Sequence, residues 1–257
     1  MTDSTSTQPA ASSLQPGNPT PLYFDSFAEL FERFTAAWDD IDPRFTNWIL
    51  ANIPDDGGKT ALELGCGTGR HTILLPDRYQ HVLAVDIADR MLQIARTTRG
   101  HPSIDYQRRS ILDVTPNTHG QYDLVLSVHS LHHVADPAVV LPHVRSLVAP
   151  GGTAILADIV DPGGWTTPEF HEDRAFTEAR QLYQLTGHAE NAAGLLQLLL
   201  HPQWLQMAAA EPPLTRQAFH HHYTQQLPGV TFTDDLHRLM CGAVWHNPAT
   251  PTQPAAS

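Results

Sequence analysis

The residues best suited to chemistry form the run LELGCGTGR, from Leu62 to Arg70, between a predicted strand and a predicted helix. Glycines at positions 65, 67 and 69 allow a sharp turn and the close approach of a ligand, because no Cβ obstructs the backbone. A following helix would add unpaired N–H groups and the positive end of its dipole. Such a loop is typical of sites that bind a nucleotide-like cofactor.

An acidic residue follows at a matching distance. Asp86 ends the next predicted strand, 21 positions after Gly65, and a carboxylate there can accept hydrogen bonds from both hydroxyls of a ribose. NAD or FAD is the competing ligand, but the GxGxxG fingerprint needs a third glycine where this chain has Arg70. The spacing GxGxG therefore argues against an NAD oxidoreductase.

Four motifs resemble those of the class I S-adenosylmethionine (SAM)-dependent methyltransferases. The family's E/D-x-G-x-G-x-G motif matches residues 63–69, and its second-strand acid matches Asp86. Its YDLVLS-x-x-x-LHHV segment matches residues 122–134, and its LxPGG turn matches residues 148–152. The resemblance extends over about residues 58–160, and the shared order of the motifs makes it specific.

The resemblance implies a site for SAM, which leaves as S-adenosylhomocysteine (SAH). Members of the family often place Asp or Asn after the third strand to bind the adenine amino group, whereas this chain has Arg109-Ser110-Ile111. Ser110 can still form a hydrogen bond there, and Ile111 can flank the ring. The cofactor-binding residues implied in this way are Glu63, Gly65, Cys66, Gly67, Gly69, Asp86, Ile87, Met91, Ser110, Ile111, Ser127, Val128 and His129.

Three of the 16 histidines follow the fourth predicted strand, at the sheet edge where open α/β folds bind ligands. The resemblance favours a structural or cofactor-positioning role for His132 and His133, since their turn is shared by enzymes with unrelated acceptors. A neutral imidazole at His129 could accept a proton from the acceptor. We predict His129 and His133 as candidate catalytic residues. The run His220-His221-His222 points in different directions on a helix, so no metal site is predicted.

Helical patterns alternate with short β-rich runs, which predicts an α/β fold. We expect a Rossmann-like, seven-stranded, mostly parallel sheet with helices on both faces and a helical insertion before the last two strands. Two helices, broken at Pro43, precede the sheet. The predicted strands are 60–65, 81–86, 103–107, 122–128, 152–160, 230–235 and 239–246, and the helices between the first five are 69–76, 89–98 and 137–148.

We expect one domain with an insertion. Residues 57–165 are predicted as the SAM-binding core, which the last two strands at 229–247 complete. Aromatic residues in the N-terminal helices at 22–56 and in the insertion at 166–228 indicate an apolar lid over a small-molecule acceptor. The alternative for the insertion is a fixed layer that forms a dimer through the LLQLLL run at 195–200.

Composition limits the classes of protein further. A formal net charge of -12 disfavours nucleic-acid binding, and no apolar run is long enough to span a membrane. Two cysteines, Cys66 and Cys241, favour a reducing compartment, so we expect a cytoplasmic protein. We also expect a monomer or a homodimer. Residues 1–21 and 248–257, rich in Ser, Thr, Pro and Gln, are predicted to be disordered tails without a secretory signal.

These patterns predict a SAM-dependent methyltransferase that acts on a small-molecule acceptor, similar to enzymes of bacterial secondary metabolism. O-, N- and C-methylation all fit the sequence. One alternative is a SAM-binding, methyltransferase-like protein that catalyses a non-methylating reaction such as cyclisation. Another is a non-catalytic scaffold, for which degraded glycines or a missing acid would be expected, and this chain has neither.

Overall fold

A computed structural model describes residues 22–134, 136–237 and 239–249, so the predicted tails lie almost entirely outside the described residues. Its centre is a seven-stranded sheet of order β3-β2-β1-β4-β5-β7-β6. The first five strands are parallel, and β7 runs antiparallel to both of its neighbours. The strands are β1 Gly58–Leu64, β2 Tyr79–Asp86, β3 Ile104–Arg108, β4 Tyr122–Val128, β5 Val148–Ile159, β6 Thr231–His237 and β7 Met240–His246.

The predicted fold class is confirmed, and each predicted strand is present. Continuous apolar runs become central strands because helices cover both faces of the sheet. Pro43 separates the first two helices, and Gly187 ends α6 in the left-handed conformation. The helices are α1 Leu22–Ile41, α2 Arg44–Asn52, α3 Asp89–Thr98, α4 Pro116–His119, α5 Pro137–Leu147, α6 Pro168–Thr186, α7 Ala189–Leu199, α8 Pro202–Ala210 and α9 Arg216–Gln226. None of the described helices is long and apolar enough to cross a bilayer.

The prediction of a helix at 69–76 is wrong. The chain forms only a short 3₁₀ turn, Thr72–Leu74, in this stretch. Gly69 has a φ of 77°, which an α-helix does not accommodate, and Pro76 stops propagation on the other side. A helix dipole therefore does not act at the end of the glycine loop.

The helices divide into two layers on the sheet and one group above it. On one face, Ile49 of α2 packs with Leu126 and Ile155. On the other face, α5 and α9 pack together, and Phe219 of α9 joins Val144 of α5 in the main core. Helix α9 was counted in the predicted insertion, but it covers the sheet because its apolar side chains face that core.

Helices α1, α6, α7 and α8 form the remaining group, which we call the helical cap. Phe34 of α1 packs with Leu182 and Leu195 of the insertion, and Phe27 of α1 packs with Met207 of α8. Leu195, Leu198 and Leu199 of the LLQLLL run at 195–200 are buried inside this cap. These three leucines belong to the core of the protomer, so they are not available to a dimer surface.

Candidate functional site

A cavity lies at the carboxyl ends of the central strands, between the sheet and the helical cap. The glycine loop after β1 forms part of its wall. Gly67 has a φ of 52°, and a Cβ built there would meet no atom within 4 Å. A Cβ at Gly65 would lie 2.2 Å from Ser130 Oγ, and one at Gly69 would lie 2.5 Å from Tyr106 OH. Only the middle glycine of the three therefore leaves space that a ligand can use.

Asp86 is held against this loop by backbone donors. Its Oδ2 accepts from the Gly67 N–H at 2.8 Å, and its Oδ1 accepts from the Ala88 N–H at 2.8 Å. Burial raises the pKa of Asp86, although these bonds oppose the shift. Each carboxylate oxygen has a second lone-pair direction, so the group can accept further hydrogen bonds from a ligand in the cavity.

Glu63 is buried at the end of β1 and accepts a hydrogen bond from Thr72 Oγ1. Burial raises the pKa of this carboxyl to about 8, with a smaller contribution from Asp86. The group is therefore mostly protonated at neutral pH while the cavity holds no cation. Burial likewise raises the pKa of the Cys66 thiol, which packs with Ala84 and Leu92 and stays protonated.

Most of the residues predicted to bind the cofactor line this one cavity, and two do not. Ser127 is buried between strands, where its hydroxyl donates to the Leu64 carbonyl at 2.9 Å. Gly69 packs against Tyr106 instead. The predicted residues that line the cavity are Glu63, Gly65, Cys66, Gly67, Asp86, Ile87, Met91, Ser110, Ile111, Val128 and His129, with His133 beside them.

Helix α1 is joined to the glycine loop through Glu32. Thr68 Oγ1 donates to Glu32 Oε2 at 2.5 Å, and Arg99 Nη2 donates to Glu32 Oε1 at 2.5 Å. Arg70 Nη1 lies 3.7 Å from the same oxygen. Sequence reasoning did not identify Glu32, because nothing in its helical pattern distinguishes it from a surface acid.

His129 has an unusual backbone. Its φ of 54° is the only positive value among the non-glycine residues that the structure describes. Its N–H donates to the Ala157 carbonyl at 2.9 Å, which ties the strained residue to β5. Burial lowers the pKa of its imidazole to about 4, so the ring is neutral near pH 7. Strained, buried residues of this kind cluster at functional sites.

Two carboxylates hold the neighbouring histidines. His132 Nδ1 lies 2.6 Å from Asp158 Oδ1, and His133 Nδ1 lies 2.7 Å from Glu211 Oε2. Burial lowers the pKa of His133 to about 4 despite the bond to Glu211, so this ring is also neutral near pH 7. Because a carboxylate only accepts, Nδ1 of His133 carries the proton and Nε2 keeps the lone pair.

The cap end of the cavity is aromatic. Phe34, Trp38, Phe45 and Trp204 line it, together with the charged pair Arg174 and Glu178 of α6. Two aromatic residues of the predicted insertion do not line the cavity. Tyr183 is half exposed on α6, and Phe219 lies in the core under α9.

A separate cluster joins His220, Asp234 and Cys241, whose ligand atoms lie within 4.8 Å of one another. The guanidinium of Arg216 already donates hydrogen bonds to two of these groups, since its Nη1 lies 2.9 Å from Asp234 Oδ1 and 3.1 Å from Cys241 Sγ. Burial and the Asp234 carboxylate raise the pKa of Cys241 to about 12. The cluster is therefore an ion-pair network with a protonated thiol.

The sequence is similar to those of known methyltransferases. Residues 62–156 match the family model described as a methyltransferase domain. The ubiquinone biosynthesis O-methyltransferase of Acinetobacter baylyi is 30% identical over 142 residues, which cover 50% of this chain and 60% of the relative. That of Pseudomonas paraeruginosa is 33% identical over 124 residues, which cover 47% and 52%. The chain thus spans little more than half the length of these relatives.

Solved structures share the fold. The structure titled "DhpI-SAH complex structure" superposes with a TM-score of 0.59 at 19% identity, covering 89% of this chain and 95% of that one. The [4+2]-cyclase SpnF gives a TM-score of 0.59 at 16% identity, covering 91% and 98%. The sheet order and the glycine loop define a Rossmann-like, cofactor-binding α/β protein. By its motifs and by the domain match over residues 62–156, the chain is similar to the class I SAM-dependent methyltransferases.

Proposed function

We propose that this protein transfers a methyl group from SAM to a hydroxyl oxygen of a small-molecule acceptor. The observation that carries the proposal is the cavity itself, because it combines open space at Gly67 beside the Asp86 carboxylate with a neutral, carboxylate-held histidine. The named relatives are O-methyltransferases. We place the reaction in bacterial secondary metabolism and the protein in the cytoplasm, as a monomer or homodimer without a nucleic-acid partner.

The residues around the glycine loop fit SAM. The space beside Gly67 admits the cofactor, and Asp86 accepts hydrogen bonds from the ribose hydroxyls. Ile87, Met91 and Ile111 offer apolar surface for the adenine, and Ser110 lies within the same wall. When bound, SAM supplies a methyl group on a positively charged sulfur, and SAH is the product.

His133 is proposed as the general base. A hydroxyl must lose its proton as its oxygen forms the new bond to carbon, and the neutral Nε2 of His133 can accept that proton. Glu211 fixes the tautomer and stabilises the imidazolium that forms, as the carboxylate does in other histidine–carboxylate pairs. His129 stands as the second candidate base, since it is neutral and lines the same cavity.

The helical cap is proposed as the lid of the acceptor end. Methyl transfer needs the nucleophile, the methyl carbon and the sulfur in line, with water excluded. The aromatic side chains of α1 and α8 provide apolar walls for this purpose. The cap would complete the site once both ligands are inside, in the way that lids commonly act.

A non-methylating reaction is the second candidate. A protein of this kind would have the same cofactor site and the same fold as a methyltransferase. The likeness in fold to the cyclase SpnF supports this candidate. The two candidates differ in the fate of SAM, which only a methyltransferase consumes. The test is to incubate purified protein with SAM and fractions of a bacterial metabolite extract, and to measure SAH by mass spectrometry. SAH formation with one fraction supports methyl transfer, whereas SAM that binds but is never consumed supports the alternative.

A further inference from the structure

The cap end of the cavity contains a buried cation with an unused donor. Arg174 Nε donates to Glu178 Oε1 at 2.9 Å, and the two side chains are only 9% and 6% exposed. The Nη1 of Arg174 is buried and has no hydrogen-bond partner among the described residues. Leaving a charged N–H without an acceptor in a protein interior is costly. A ligand group that supplies the missing acceptor would remove this cost.

A second hydrogen-bond donor, in another residue that lines the same cavity, also lacks an acceptor. Trp204 Nε1 on α8 is buried and, within the described part of the chain, has no hydrogen-bond partner. Arg174 and Trp204 both line the cavity. A guanidinium and an indole N–H can only donate. The ligand group that satisfies both must therefore be rich in acceptor atoms.

The position of Arg174 relates it to the reaction. Its guanidinium carbon lies 5.4 Å from the centre of the Trp165 ring, a cation–π contact that restrains the side chain. Burial is the main cause of the lowered pKa of His129, and the positive charge of Arg174 adds a smaller contribution, so the guanidinium lies near the carboxyl edge of the sheet. Arg174 belongs to the insertion and not to the glycine-loop wall, so its ligand is the acceptor and not the cofactor.

We infer that the acceptor is a hydroxy acid whose carboxylate binds Arg174 Nη1 and the indole N–H of Trp204. A carboxylate accepts from both donors, carries the opposite charge to the guanidinium, and has no donor of its own to leave unpaired. The aromatic side chains nearby favour an aromatic ring between the carboxylate and the hydroxyl. The inference rests on the proposed function and names the substrate class of that same site.

The experiment compares acids with their methyl esters, which keep the ring and lose the charge. A series of hydroxybenzoates and hydroxycinnamates, each beside its ester, is titrated into SAH-loaded protein by ligand-detected NMR. In the native protein at least one acid should bind roughly tenfold to a hundredfold more tightly than its ester. Arg174→Met should reduce this ratio to about one. Trp204→Phe, which keeps an aromatic ring, should weaken binding of the acid by several fold.

Arg180→Met is the matched control, because Arg180 is an exposed arginine on the same helix and should leave the ratio unchanged. SAH affinity, measured in each variant by calorimetry, should stay the same. An ester that binds as tightly as its acid, a ratio that survives in Arg174→Met, or no binding of any acid would overturn the inference. If the native protein does not bind SAH, the proposed function would be overturned instead.

Discussion

Glu211 Oε2 lies 2.7 Å from His133 Nδ1, although 78 positions separate the two residues in the chain. Glu211 follows the end of α8 in the helical cap, and His133 lies in the turn after β4. The contact therefore joins the cap to the sheet edge where the cavity opens. Phe24 of α1 packs edge-on against the same imidazole, with ring centroids 5.3 Å apart.

Replacing His133 by Gln should lower kcat by about 10²- to 10⁴-fold, because the base that accepts the hydroxyl proton is lost. Glu211→Gln should lower kcat at least about tenfold, since a neutral amide stabilises the imidazolium less well. Glu211 also raises the pKa of His133, so its loss should move the acid limb of the kcat profile to lower pH. Steady-state kinetics over a range of pH in both variants measures these effects.

His129→Gln is the comparison that assigns the base. A larger loss of kcat in His129→Gln than in His133→Gln, with SAM affinity unchanged in both, would transfer the role to His129. An acid limb that does not move in Glu211→Gln would show that the His133–Glu211 contact is structural.

Asp86→Ala should weaken SAM binding by about 1.5–3 kcal/mol, or roughly 10- to 150-fold, through loss of charged hydrogen bonds to the ribose. The substitution also frees the N–H groups of Gly67 and Ala88, so Asp86→Asn serves as a variant that retains one acceptor oxygen. Calorimetry measures the affinities, and circular dichroism checks the fold. Equal SAM affinity in a folded Asp86→Ala protein would remove Asp86 from this role.

Gly67→Val should abolish SAM binding while the fold survives, because the new side chain fills cavity space and not protein contacts. The positive φ adds a backbone cost of about 1–2 kcal/mol. Gly187→Val imposes a similar cost elsewhere, since Gly187 is in the left-handed conformation and has open space around its Cβ position. Thermal shifts with and without SAM measure both effects. A SAM-induced shift that persists in Gly67→Val would show that the cofactor does not use this space.

Glu63→Gln should stabilise the protein increasingly as pH rises. The folded pKa of Glu63 is raised from 4.5 to about 8, so the unfolded chain binds fewer protons than the folded chain between those values. Native stability from this group is therefore full below about pH 4.5 and is lost as pH rises through 8. The difference in unfolding free energy between Glu63→Gln and the native protein should grow by about 2–4 kcal/mol from pH 5 to pH 9. Denaturant unfolding measures it, and a constant difference would contradict the shift.

The core of the fold could be predicted from sequence because its signals are local. Tyr122–Val128 is a mostly apolar run, and the strand begins and ends where the pattern places it. The stretch after Gly69 could not be predicted, since its helical periodicity competes with a positive φ and a buried Thr72–Glu63 hydrogen bond that only the folded loop reveals. Helix α9 shares its apolar pattern with the insertion, and the sequence does not say which surface that pattern covers.

The same contrast between local signals and contacts formed only on folding applies to the residues of the candidate site. Asp86 and Gly67 are identified by spacing, because the loop and the acid are close in the chain. Glu32, Glu211 and Arg174 depend on contacts between distant elements, and each has the pattern of an ordinary helix-surface charge. Burial distinguishes them, and burial of a charged residue is a tertiary property.

Transfer of an isotopically labelled methyl group tests the central claim most directly. Purified protein is incubated with methyl-¹³C SAM and a bacterial metabolite extract, and products are identified by mass spectrometry and NMR. We expect a small molecule that gains one labelled methyl group on an oxygen, in an amount equal to the SAH formed, with much less product in Asp86→Ala when SAM is limiting. A product that forms without the label, or SAM that stays intact while the acceptor changes, would contradict the assignment as a methyltransferase.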